Sequence, residues 1–211
     1  MKMQRNRERY KTFIEDTYYH VYNRGVEKRI IFDDDRDREV FLNLLKRYVS
    51  PDVARDPLGR PYNNYAQDVE LLAYCLMPNH FHLLFYLRHT DGIKLLMHDV
   101  STAYSRYYND KHDRVGPLFQ SRYKASAILD ESYLLHISRY IHLNPHNWRE
   151  STWSSLSYWL GRQRAKWIHP ERLLDATPQS YLHFMKDYED HKMMLDTINA
   201  SLAVSEPYSE K

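Results

Sequence analysis

Two histidines flank one bulky apolar residue in His80-Phe81-His82, which follows the run Ala73-Tyr74-Cys75-Leu76-Met77-Pro78-Asn79 and leads into Leu83-Leu84-Phe85. In an extended chain successive side chains alternate, so both imidazoles leave one face and Phe81 the other. Two imidazoles on one face can grip one metal ion, which then needs further donors. Tyr140 and Asn144 stand four residues apart in a helical pattern, so a phenol and an amide oxygen lie one turn apart on one face and would approach such an ion together. Two nitrogens and a neutral amide oxygen, with no thiolate or carboxylate, suit Mg²⁺ or Mn²⁺ held partly by a substrate phosphate better than a structural Zn²⁺. His20 competes for a ligand role, whereas His142 sits about 200° round the helix from Tyr140. The same spacing also fits half-buried histidines and a core tyrosine, so it leaves both readings open.

If the metal reading holds, the chemistry follows. A phenol with a pKa near ~10 is a poor nucleophile, but a metal that polarises a scissile phosphate favours the phenolate and steadies the departing oxygen. The product is a phosphotyrosyl enzyme. It conserves the energy of the DNA linkage, so a free 3′-hydroxyl can rejoin strands without ATP. The five glycines form neither G-x-x-x-x-G-K-[ST] nor G-x-G-x-x-G, and no nucleotide cofactor is implied.

The elements that must position these residues are legible in part. Thr17 to Tyr22 reads as a first strand ending at the turn Asn23-Arg24-Gly25. Arg36 to Val49 carries apolar residues at helical spacing behind an acidic first turn. Residues 51–64 hold three prolines and Gly59 and read as a loop insertion. Val69 to Met77 and Phe81 to Leu87 form a hairpin about Pro78-Asn79, with the histidines opening its second strand. A helix follows over Ile93 to Tyr108, an extended stretch over Leu118 to Leu129, and a helix over Glu131 to Leu143 that stops before Asn144-Pro145. The order βαββαβα predicts an α+β, ferredoxin-like antiparallel sheet with helices on one face. The expected organisation is a catalytic domain over 1–160 and a helical C-terminal extension over 161–211, with Ser180 to Leu195 its clearest helix and Ala200 to Lys211 loose.

The single cysteine, Cys75, excludes an internal disulfide and any multi-cysteine zinc site. The basic N-terminus leads into no apolar run, so a cytoplasmic protein without a membrane span is expected. A net charge of +2 is too mild to indicate a polyanion partner, so the placement of charge matters more. Lys2, Arg5, Arg7, Arg9 and Lys11 open the chain. Arg106, Lys111, Arg114, Arg122 and Lys124 surround Tyr104, Tyr107, Tyr108, Phe119 and Tyr123, and Arg162, Arg164 and Lys166 lie beside Trp159 and Trp167. Bases interleaved with aromatics suit single-stranded nucleic acid, cations tracking phosphates while rings stack on bases. Snorkelling of long cations over core edges produces the same pattern.

Five pieces occur in order: His20-Val21-Tyr22-Asn23-Arg24-Gly25, Met77-Pro78-Asn79-His80-Phe81-His82-Leu83-Leu84, Gly116-Pro117-Leu118-Phe119-Gln120-Ser121-Arg122-Tyr123, Tyr140-Ile141-His142-Leu143-Asn144-Pro145, and Trp153-Ser154-Ser155 with Tyr158. Together they resemble the single-tyrosine transposases of the HUH superfamily, and within it the REP-associated branch, where Asn-Pro after the tyrosine helix is usual. The resemblance implies that His80 and His82 bind Mg²⁺ or Mn²⁺, with Asn144 where related transposases carry Gln as third ligand. It implies that Tyr140 is the nucleophile, nicking single-stranded DNA near a hairpin or palindrome to leave a 5′-phosphotyrosine and a free 3′-hydroxyl. Arg24, Arg106, Arg114, Arg122, Tyr123, Lys124, Arg162 and Arg164 are the candidate DNA contacts. A nucleoid-associated monomer or homodimer is expected. The alternatives are a hairpin-binding regulator that has lost turnover and a metallohydrolase that uses water in place of Tyr140.

Overall fold

The apolar runs of the central hairpin have both faces to bury, and the fold covers each with helices. In the computed structural model, described over residues 13–145, 147–173 and 177–187, four strands form one sheet: β1 (Thr17–Arg24), β2 (Val69–Met77), β3 (His80–Leu87) and β4 (Lys124–Ile128). Their order is β2-β3-β1-β4 and every pairing is antiparallel, the ferredoxin-like arrangement that the element order predicts.

On one face, Tyr19, Val21, Phe81, Leu83 and Phe85 pack with Phe41 and Leu45 of α1 (Asp35–Val49) and Leu96, Met97 and Val100 of α2 (Gly92–Lys111). On the other, Cys75, Leu84 and Ile128 pack with Leu134, Ile137 and Ile141 of α3 (Glu131–Leu143), and with Trp159 of α4 (Leu156–Trp159) and Tyr181 of α5 (Pro178–Lys186). Helices therefore lie on both faces, where the sequence placed them on one. The reason is visible in β2, eight of whose nine residues are buried. A register shift between Leu71 and Ala73 changes the parity of that strand. Val69 and Leu71 before it, and Tyr74 and Leu76 after it, all reach the α1–α2 core, while Leu72, Ala73 and Cys75 reach the α3 core.

Local signals set the boundaries. Asp34 caps α1, accepting from the Asp37 backbone N–H at 2.9 Å, and the buried Asp37 carboxylate also accepts from Lys111 Nζ of α2 at 2.7 Å. The β2–β3 hairpin turns on Pro78 and Asn79 alone. Its tip is held by the backbone N–H groups of Ile31 and Phe32, which donate to the Pro78 carbonyl at 2.8 and 3.0 Å, and by Gly25 N–H, which donates to the Asn79 carbonyl at 2.9 Å. A Cβ on Gly25 would stand 2.4 Å from the Arg29 carbonyl oxygen, so only glycine permits this approach. Along the β2 edge, Trp153-Ser154-Ser155 runs as a short antiparallel bridge to Cys75 and covers strand groups that would otherwise be open.

Two extents differ from expectation. The stretch from Leu118 is a loop until β4 begins at Lys124, because Leu118 and Phe119 turn inward to the α1–α2 core. The expected helix from Ser180 is α5 over Pro178–Lys186, its continuation toward Leu195 lying outside the described residues, as do the N-terminal basic cluster and Ala200 to Lys211. Among the described residues no helix is long and apolar enough to cross a membrane.

Candidate active site

β3 and α3 bring the sequence-predicted residues together. His80 and His82 leave the sheet face that α3 covers, and Asn144 follows the last residue of that helix. His80 Nε2 lies 3.3 Å from Asn144 Oδ1. The Tyr140 ring stands edge-on to His82, with centroids 5.3 Å apart. The His80 and His82 rings are perpendicular with centroids 5.0 Å apart. Residues some sixty positions apart in sequence thus share one half-buried cluster.

The outward nitrogens of the two histidines are defined by what holds the inward ones. Asn79 Oδ1 is 2.7 Å from His80 Nδ1, and the Asn79 amide nitrogen donates to the Lys28 carbonyl at 3.2 Å. Asn79 Oδ1 can only accept, so His80 carries its proton on Nδ1 and presents a bare Nε2. His82 Nδ1 is 2.9 Å from Nε2 of His20. His20 therefore stands behind His82 rather than beside it as a rival ligand. Neither Asn79 nor His20 could be assigned its place from spacing, since both depend on strand register. His142 is buried and points away, with Nδ1 2.7 Å from the Tyr181 hydroxyl and Nε2 2.8 Å from Ser155 Oγ.

Burial controls the protonation of the cluster. It pushes the His20 imidazole down to about 3, and holds His82 well below the ordinary histidine range, helped by the neighbouring imidazoles of His20 and His80, which disfavour a second proton in the cluster, and by the charge of Arg24. His80 is lowered chiefly by burial, against the Asn144 amide. All three are neutral near pH 7, the form that ligates metals. Burial raises the Tyr140 phenol above its ordinary value, opposed by the Asn144 amide and by the positive charge of Arg24.

A neutral His80 bare at Nε2 and the Asn144 amide oxygen are two acceptors facing each other with no proton between them. That is a donor set suited to a cation. Among the described residues no three His, Cys, Asp or Glu side chains gather as a metal site, and an ion held here would depend on the two imidazoles and the amide oxygen. The residues fit Mg²⁺ or Mn²⁺ with positions left for a phosphate.

The candidate DNA contacts divide by location. Arg24 is exposed at the end of β1, directly cross-strand from His80 on the same sheet face. Lys124 is cross-strand from Tyr22 and lies 5.9 Å from its ring centroid; Tyr22 is in turn cross-strand from His82. These border the site. Tyr123 packs against the α1–α2 core, and Arg122 before it is exposed. Arg106 lines a groove with Arg47, Tyr48 and Tyr62 on the α1–α2 side, and the structure does not bring it to the site. Arg114 holds its own loop, donating to Asn109 Oδ1 at 2.6 Å. Arg162 and Arg164 are exposed in the segment after α4.

Residues 62–144 match the family described as Transposase IS200 like. No curated protein matches the chain. Among solved structures, the chain is similar to a REP-associated tyrosine transposase bound to a REP hairpin, with 17% identity, a TM-score of 0.49, and coverage of 79% of this chain and 91% of the other. A second, described as a transposase from Deinococcus radiodurans R1, has 16% identity, a TM-score of 0.38, and coverage of 66% and 95%.

Proposed function

We propose that this chain, whose residues 62–144 match the family described as Transposase IS200 like, nicks and rejoins single-stranded DNA through Tyr140. The observation that carries this reading is the convergence of His80, His82, Tyr140 and Asn144 from β3 and the end of α3. The five motifs, with Asn144-Pro145 after the tyrosine helix, support the REP-associated branch and a hairpin or palindromic substrate.

His80, His82 and Asn144 would hold Mg²⁺ or Mn²⁺, which when bound polarises the scissile phosphate and stabilises developing charge on its oxygens. Tyr140 Oη gives up its proton and attacks phosphorus; an O–P bond forms, and the bond from phosphorus to the 3′-oxygen breaks. That oxygen takes a proton and leaves as a 3′-hydroxyl, so Tyr140 keeps the 5′-phosphate. Attack by a 3′-hydroxyl on the phosphotyrosine reverses these steps and rejoins a strand. Asn144 orients the phenol, and Arg24 places a cation on the face where the phosphate must lie.

The test is incubation with labelled single-stranded hairpin oligonucleotides from the flanking genome and Mn²⁺. Cleavage by the native chain that is lost in Tyr140→Phe and in EDTA supports the reading. Tight binding without cleavage favours a regulator, and cleavage retained by Tyr140→Phe favours a water-using hydrolase.

A further inference from the structure

One buried imidazole in contact with the site remains without a role in this scheme. His20 is wholly buried in β1, between Leu84 of β3 and Ser126 of β4 in the strand register. Its ring stacks on that of His82, with centroids 5.0 Å apart and planes at 23°, and its Nε2 is engaged with His82 Nδ1. Its other nitrogen, Nδ1, is buried with no partner among the described residues, and so is Oγ of Ser126. These two orphaned atoms belong to directly paired residues whose side chains leave the same sheet face. Buried polar atoms are rarely left unpaired, and one hydrogen bond between them, direct or through a buried water, satisfies both.

Proton counting then sets the polarity. If His82 is to offer a bare Nε2 to the site, its proton is on Nδ1 and is donated to Nε2 of His20. His20 must then carry its own proton on Nδ1, which needs an acceptor, and the Ser126 hydroxyl oxygen is in register to be one. The opposite polarity puts the proton on His82 Nε2 and closes that nitrogen to any cation. We propose that Ser126, His20 and His82 form a hydrogen-bond relay in which His20 is a positioning residue that holds His82 in the tautomer open to the site. The purpose of the relay rests on the metal reading of the site; its existence does not. Because the Tyr140 ring also stands edge-on to His20, at 6.0 Å between centroids, the relay sets the surface against which the phenol packs.

Long-range ¹H–¹⁵N spectra of the imidazoles in the metal-free full chain, with Mn²⁺ binding by calorimetry, test this. The native chain should show His82 protonated on Nδ1. His20→Phe, which keeps a ring but no acceptor, should weaken Mn²⁺ binding by about 10- to 100-fold. His20→Gln, whose amide oxygen can accept, should recover part of that loss, and Ser126→Ala should weaken binding less than His20→Phe. Protonation of His82 on Nε2 in the native chain, or native Mn²⁺ affinity in a folded His20→Phe, overturns the relay. Absence of Mn²⁺ binding by the native chain would sink the metal reading alone, the tautomer spectrum still deciding the relay.

Discussion

His80 Nε2 and Asn144 Oδ1 face each other at 3.3 Å, one from the first residue of a strand and the other from the first residue beyond a helix. With the His80 proton drawn to Asn79, both atoms are acceptors. Two facing lone pairs repel, and a cation that both can reach turns repulsion into ligation.

Removing one of the pair therefore has a signed effect on metal affinity. Asn144→Ala should weaken Mn²⁺ binding by about 10- to 100-fold, an interaction with a charged group being worth roughly 1.5–3 kcal/mol. Asn144→Asp adds a charge and should tighten it. Calorimetry that finds all three chains equal would remove Asn144 from the donor set.

The raised phenol of Tyr140 predicts an alkaline-leaning rate profile. Below its pKa the phenolate fraction grows about tenfold per pH unit, so single-turnover nicking at saturating Mn²⁺ should climb between about pH 7 and 9. Arg24 opposes the rise in pKa. Arg24→Gln should therefore move the profile to higher pH and slow the reaction at any fixed pH on its rising limb. A flat profile would separate the rate from phenol ionisation.

Buried neutral histidines make the fold acid-sensitive. His20 and His142 are both pushed down to about 3 by burial. A depressed folded-state pKa contributes stability that is complete above the unfolded value of about 6.5 and is lost as pH falls toward 3. At pH 5 each should cost about 2 kcal/mol. Thermal midpoints measured from pH 8 to pH 4 should fall steeply below about pH 6.5, and a midpoint constant to pH 5 would contradict the burial of these rings as neutral groups.

The strand–helix order was legible in the sequence, as were the shared face of His80 and His82 and the one-turn spacing of Tyr140 and Asn144, because alternation along β3 and the period of α3 are local properties of the chain. Pro78-Asn79 marked the hairpin for the same reason. The placing of α3 on the opposite face was hidden, since β2 is apolar on both sides and its register shift cannot be read from composition. His20 was legible only as a rival ligand; its place behind His82 and the nearness of Ser126 were hidden, being set by strand pairing over long separations. Tyr107 looked like part of a nucleic-acid surface because cation–aromatic spacing is also what packed helices show; it donates to the buried Asp37 carboxylate at 2.9 Å, while Arg106 beside it is exposed.

The helix that carries Tyr140 is fastened from behind by residues outside the family match. The Tyr181 hydroxyl of α5 meets His142 Nδ1 and lies 3.0 Å from Ser138 Oγ, both on α3. Tyr181→Phe leaves that imidazole nitrogen buried and unpaired, which should cost about 1–3 kcal/mol and lower the melting temperature by several degrees. An unchanged melting temperature would show that α5 does not anchor α3.

A covalent bond between DNA and Tyr140 is seen most directly by mass spectrometry. After reaction of the native chain with a hairpin oligonucleotide and Mn²⁺, digestion should yield the peptide containing Tyr140 joined to the 5′-phosphate of the downstream strand, with a free 3′-hydroxyl on the upstream product. Cleaved DNA with no peptide adduct, or an adduct on another residue, would rule out Tyr140 as the nucleophile.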